Sequence, residues 1–164
     1  MKLNLDDQRH LDAAEGWLHL GNLAEATEEL ECITPSMRVH PFVLRVRWGI
    51  YAKAGRWEEA SEIAQALAEL LLDNPWGYIQ WAFSLHKLKR TKEARDVLLP
   101  IAGKFPGEVK IFYNLARYCC QLGNQLEAME WLEKAIDLEG KHEIRLAALD
   151  EPDLQSIWVD IAQI

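Results

Sequence analysis

The chain is poor in the residues that build covalent or metal frameworks. It has three cysteines, Cys32, Cys119 and Cys120, an odd count without the spacing of a disulfide framework. The adjacent pair sits in a helical pattern and matches no metal motif. All three are read as buried thiols of a reducing compartment. The five histidines, His10, His19, His40, His86 and His142, never recur at the i, i+4 spacing of helical metal sites, so no metal and no cofactor are expected. No apolar run approaches the roughly 18 residues of a membrane span. The opening Met1-Lys2-Leu3-Asn4-Leu5-Asp6-Asp7 has neither an apolar core nor a cleavage site, so no secretory signal is expected and the cytoplasm is the expected compartment.

A basic surplus is missing too. The net charge of -8 argues against sequence-independent binding to DNA or RNA, though it leaves room for a local basic groove. Strand patterns are absent, so no glycine-rich phosphate loop follows a strand, and no catalytic constellation stands out. Acidic residues lie mostly in helical first turns and on outer faces, where solvation explains them. A non-catalytic protein is expected.

What is present is periodicity. The turn Gly55-Arg56-Trp57-Glu58-Glu59-Ala60 recurs as Gly21-Asn22-Leu23-Ala24-Glu25-Ala26 and as Gly123-Asn124-Gln125-Leu126-Glu127-Ala128. A degraded copy, Lys89-Arg90-Thr91-Lys92-Glu93-Ala94, fills the gap, and the Glu-Ala pairs at 25/26, 59/60, 93/94 and 127/128 keep a spacing of 34. A fixed period of this size means one supersecondary unit stacked on copies of itself. The glycine supplies positive φ at a helix end, the glutamate suits the positive end of the next helix, and the alanine lets two helices approach closely. Burial of aromatics at recurring positions accounts for seven tryptophans.

These units resemble the tetratricopeptide repeat (TPR). Counted from residues 7, 41, 75 and 109, the small position of helix B reads Ala26, Ala60, Ala94 and Ala128. The facing position of helix A reads Ala14, Trp48, Ala82 and Ala116, so the second repeat departs from the pattern, with Gly49 able to take over the small role one place on. The resemblance implies an all-α fold, a right-handed α-α superhelix or TPR solenoid, forming one domain over 1–164. Its repeats are expected at about 7–40, 41–74, 75–108 and 109–142, with a C-terminal cap at 143–164.

Helices are expected at about 7–20, 23–33, 41–54, 57–73, 75–88, 91–104, 109–122 and 125–139, with Asp6 or Asp7 capping the first and residues 1–5 loose. Pro100 is expected to kink its helix rather than split it. In the tail, Ile144 to Leu149 reads as a short helix, and Asp150-Glu151-Pro152-Asp153 reads as a helix start. Leu154, Ile157, Trp158, Ile161 and Ile164 then form an apolar stripe. Such a tail resembles those closing some bacterial TPR proteins; it is read as a cap for the open end of the stack, with a homodimer contact as the alternative.

Charge divides by helix type. The A helices carry Arg9, Arg45, Arg47, Lys53, Lys87, Lys110 and Arg117 against Asp7, Asp12 and Glu15, whereas the B helices are strongly acidic. In TPR folds the A helices line the concave surface, so the resemblance implies a mildly basic groove on an acidic body, which steers acidic partners inward. A solubilising acid coat is the plainer alternative. Carried over, the ligand positions are Gln8, Leu11, Glu15, Leu18 and His19 in the first repeat, then Phe42, Arg45, Gly49, Ala52 and Lys53. The third repeat offers Trp76, Ile79, Phe83, His86 and Lys87, and the fourth Lys110, Tyr113, Arg117, Cys120 and Gln121. The expected groove residues are Arg45, Lys53, Trp76, Phe83, His86, Lys87, Lys110, Tyr113 and Arg117; Phe83 is also expected to be covered by the neighbouring A helix.

The carboxylate-gripping pattern of chaperone-binding repeats is not met. Gly49 and Gln80 stand where asparagines are required, and Asn114 stands where arginine is. The expected function is a protein-interaction adaptor that binds a peptide or helical segment, acidic in character, with no nucleic-acid or membrane partner. The alternatives are a self-associating module dimerised through the C-terminal helix, and a small secretion chaperone.

Overall fold

Four helix-to-helix turns set the architecture. At each, the chain leaves a helix through a left-handed residue and closes a six-to-one backbone bond. The amide of Asn22 donates to Trp17 O (3.0 Å), Arg56 to Tyr51 O (2.9 Å), Arg90 to Leu85 O (2.9 Å) and Asn124 to Cys119 O (2.9 Å). This is the Schellman geometry that glycine suits. Gly21, Gly55 and Gly123 take it with φ of 80°, 72° and 84°, and Lys89 takes it with φ 64°. The next helix then starts in one of two ways. Asn22 and Asn124 accept from the amides of Glu25 and Glu127. Arg56 and Arg90 instead pair with Glu59 and Glu93, each ion pair at 2.5 Å.

The computed structural model describes residues 2–163. In chain order the α-helices are α1 Leu5–Leu20, α2 Leu23–Cys32, α3 Pro41–Lys53, α4 Trp57–Leu70, α5 Pro75–Lys87, α6 Thr91–Leu98, α7 Val109–Gln121, α8 Gln125–Glu139, α9 Lys141–Leu149 and α10 Trp158–Gln163. Three 3-10 turns, Pro35–Met37, Leu99–Ile101 and Pro152–Ile157, join them, and no strand occurs among the described residues. None of these helices is long and apolar enough to cross a membrane.

The chain divides into two compact units, Met1–Ser84 and Leu85–Ile164. In the first, α1 packs on α2 and α3 on α4, with Ala14, Ala26, Ala60 and Ala64 wholly buried. Leu11, Leu30, Ile33, Val43, Val46 and Ile50 fill the space between α1, α2 and α3. Two glycines serve close approach. A Cβ on Gly49 would lie 2.8 Å from Leu18 Cδ2, and one on Gly77 would lie 2.5 Å from the backbone nitrogen of Ala68. Gly49 thus holds the close contact that Trp48, on the preceding residue, leaves to it.

In the second unit α7 packs on α8 and on α6, around the wholly buried Ala94, Leu98, Leu115, Ala116, Ala128, Leu132 and Ala135. The tail closes over this unit. Leu154, Ile157 and Ile161 are wholly buried, and Trp158 Nε1 donates to Ala148 O at 3.0 Å. Most of the apolar stripe is therefore consumed inside the chain. Ile164, its last expected member, lies outside the described residues.

Several boundaries differ from expectation, each for a local reason. The first cap is Asn4, not Asp6 or Asp7: its side chain accepts from the Asp7 amide at 2.8 Å. Asp7 is buried and accepts from the Thr34 amide at 2.8 Å, tying the start of α1 to the end of α2. Residues 3–5 are not loose, since Leu3 packs on the core, Asn4 caps α1 and Leu5 already opens it. α4 stops at Leu70, short of 73, because Leu71 turns out of helical geometry (ψ 65°) and Asn74 caps α5 through the Trp76 amide. Pro100, lacking an amide proton, ends α6 in a 3-10 turn instead of kinking a continuous helix. The tail helix also begins as a 3-10 turn from Pro152. Cys119 and Cys120 are buried as expected, but Cys32 is exposed.

Two substitutions test this reading. Lys89→Gly relieves a non-glycine left-handed residue and is expected to stabilise by about 0.5–1 kcal/mol. Gly77→Ala drives a methyl into backbone and is expected to destabilise by about 1–3 kcal/mol. Chemical denaturation of both variants, with helicity followed by circular dichroism, reads the opposite signs.

Candidate functional site

In the first unit, the A-helix side of the repeats forms an open cleft of about 430 Å³. Its lining comprises Glu15, Leu18 and His19 from α1, Phe42, Arg45, Val46, Trp48 and Gly49 from α3, and Trp76 from α5. Helical spacing brings these together. Glu15, Leu18 and His19 share a face of α1, as Phe42, Arg45 and Gly49 share one of α3. The floor is braced from below. Trp48 donates from Nε1 to Ser84 Oγ at 3.2 Å, and the Ser84 hydroxyl in turn donates to Gln80 O at 2.8 Å. Trp76 meets Trp48 edge-on at 5.4 Å between centroids, and the Arg45 guanidinium lies 4.8 Å above the Trp76 ring. Phe42 at the rim is 54% exposed.

Not every expected groove residue joins this cleft. Lys53 donates from Nζ to Leu18 O at 2.6 Å, so its charge serves the C-terminal end of α1. Phe83 meets Trp57 of α4 edge-on at 5.7 Å, so this ring contact is with a B helix and not with the neighbouring A helix expected to cover it.

In the second unit the corresponding face is covered. Arg117, on α7 with its side chain 11% exposed, donates from Nε (3.1 Å) and from a terminal nitrogen (2.6 Å) to Asp153 Oδ2. Its Nε also lies 3.2 Å from Glu151 Oε2. His86 reaches the same Asp153 oxygen through Nε2 at 2.9 Å, and its Nδ1 lies 3.0 Å from Thr91 Oγ1. Gln121 donates to Asp153 O at 2.9 Å, and Cys120 Sγ lies 3.1 Å from Ser156 Oγ. Lys87 and Lys110 are exposed. The tail thus takes Arg117 and His86 out of any open groove. Sequence reasoning named these two residues but missed their partner, which lies 36 and 67 residues away along the chain.

The electrostatics follow from this packing. Burial lowers the His86 pKa below its ordinary 6.5 and outweighs the upward pull of Asp153. The neutral ring therefore donates from Nε2 to the carboxylate and accepts from the Thr91 hydroxyl. Burial alone would raise the Asp153 carboxyl, but hydrogen bonding to Arg117, the charge His86 gains once protonated in acid, and the charge of Arg117 hold it below its ordinary value. Burial, with Glu151 adding to it, pushes the Tyr113 hydroxyl up to about 12. Among the described residues no cluster of three or more His, Cys, Asp or Glu side chains could hold a metal ion.

No protein-family model and no curated protein sequence matches the chain. Solved structures do. MamA 41-end from Desulfovibrio magneticus RS-1 superposes with a TM-score of 0.75 at 16% identity, over 99% of this chain and 96% of that one. MamA from MSR-1 gives 0.69 at 24% identity over 82% and 78%, and MamA from AMB-1 gives 0.68 at 23% over 89% and 80%. At these identities the likeness is one of fold: the chain has the all-α, helical-repeat architecture of the tetratricopeptide repeat.

The folded-state pKa of His86 lies below its unfolded value, so the unfolded chain takes up the proton first as pH falls. Its contribution to stability is complete above pH 6.5 and declines as acidity moves through and below that value. Thermal melts between pH 8 and pH 5 are expected to show that decline, and His86→Gln is expected to flatten it. Asp153, also depressed, keeps its contribution until pH drops below the ordinary carboxylate value of 3.8.

Proposed function

We propose that this protein is a non-catalytic interaction module that holds a segment of another protein in the cleft between α1 and α3. The carrying observation is the braced cluster of Arg45 over Trp76, with Trp76 edge-on to Trp48, beside the exposed Phe42. Aromatic and arginine side chains in a fixed hollow are what interface hot spots are made of. Because the Trp48–Ser84–Gln80 chain of hydrogen bonds fixes the floor in advance, most of the ordering cost falls on the partner.

The chemistry selects the partner's residues. A guanidinium stacked on an aromatic ring keeps its in-plane N–H donors for a carboxylate. An apolar side chain beside that carboxylate would bury against Phe42, Val46 and Leu18. Glu15 on the opposite wall repels a second acid, which orients the segment with its acidic residue toward α3. The tetratricopeptide-repeat architecture supports the reading, since it is a scaffold for such surfaces. The net charge of -8 speaks for a protein partner over a nucleic acid.

Affinity capture from native cells, read by mass spectrometry, tests this. Trp76→Ala and Arg45→Glu are each expected to weaken the captured partner by about 2 kcal/mol or more, with helicity unchanged. Undiminished capture by both folded variants would move the site elsewhere.

A further inference from the structure

The segment Glu151-Pro152-Asp153 lies on α7 as a bound peptide would. Pro152 locks its φ, and Glu151 is extended (φ -89°, ψ 111°) where it crosses Arg117. Side chains of α7 and α5 read two of its carboxylates and one of its main-chain carbonyls. Arg117 takes both carboxylates, His86 takes one of them, and Gln121 takes the Asp153 carbonyl. Tyr113, Arg117, Cys120 and Gln121 recur at helical spacing along a single stripe of α7. The segment's apolar hold comes separately, from the wholly buried Leu154 and Ile157.

A segment needed only as a lid would satisfy α7 with apolar contacts. Arg117 instead donates twice to Asp153 and pairs its charge with Glu151, with Asn114 Oδ1 accepting a third bond at 3.1 Å. We propose that this face of α7 is an acidic-peptide site that residues 151–153 occupy from within, and that a partner segment carrying two acids one residue apart enters it by displacing them. The charge complementarity commits the occupant: a basic or apolar segment would leave the largely enclosed Arg117 without a counter-charge. No residue of the α1–α3 cleft takes part, so either site can fail while the other stands.

Tethering sets the threshold for exchange. A ligand joined by a short linker acts at an effective concentration on the order of millimolar, so a free competitor with equal contacts binds the intact chain only weakly. Loosening the internal segment releases that competition.

The test uses a fluorescent peptide, Asp-Glu-Pro-Asp-Leu-Gln-Ser-Ile, matching residues 150–157. The full-length chain with Glu151→Ala and Asp153→Ala, which keeps Leu154 and Ile157, is expected to bind it at least tenfold more tightly than the parent chain. Adding Arg117→Ala should abolish the gain. A folded double variant that binds no more tightly than the parent, or a gain that survives loss of Arg117, would overturn the proposal. Should the double variant not fold, hydrogen exchange on the parent chain decides. Millimolar peptide is expected to speed exchange at residues 153–157 while leaving α8 unchanged, and no change there would overturn it.

Discussion

The close crossing of helix pairs at alanine is the constraint on which the rest depends. Ala26, Ala60, Ala94 and Ala128 are wholly buried, and a larger side chain at any of them would push a hairpin apart. Closing each hairpin requires the chain to reverse within a few residues, which the left-handed turn before each B helix accomplishes. Both demands act locally, so they repeat with the sequence. Where neighbouring hairpins press together the same economy of volume reappears, in Gly49 against Leu18 and Gly77 against Ala68. Even the turn without glycine keeps its shape, since Lys89 adopts the conformation its position imposes.

Within that frame the basic side chains of the A helices have different fates. Arg47 is drawn to Glu31 of α2 at 3.0 Å, and Lys53 to the carbonyl end of α1. Arg117 is held by Glu151 and Asp153. Arg45 instead lies over an indole at the edge of a cleft, held there by cation–π attraction. A tally of charge by helix therefore describes the electrostatic field but not which cations face a partner. Helical spacing places a residue on a face; neighbours decide whether that face is open.

Much of the fold was legible because its signals are short-range. The 34-residue period, the glycine turns and the prolines at 41 and 75 mark helix pairs without reference to distant residues. The misses share a cause as well. Asn4 caps α1 because Asp7 is claimed by the Thr34 amide, a contact across the hairpin. Asp150 to Asp153 carries a helix-start pattern, yet Pro152 opens a 3-10 turn whose acids are drawn to Arg117 and His86. Phe83 faces Trp57, a partner outside its own helix.

Taken alone, the sequence determined that this is an all-helical repeat with small residues at its crossings, because turn chemistry and hydrophobic period are properties of neighbouring residues. It also determined which side chains lie on the A-helix faces. Only tertiary structure decided that Arg45, Trp76 and Trp48 would meet in a braced cleft, and that the acids of the tail would lie across Arg117. Ion pairs and ring contacts between residues tens of positions apart depend on where packing carries their backbones, and no local pattern encodes that.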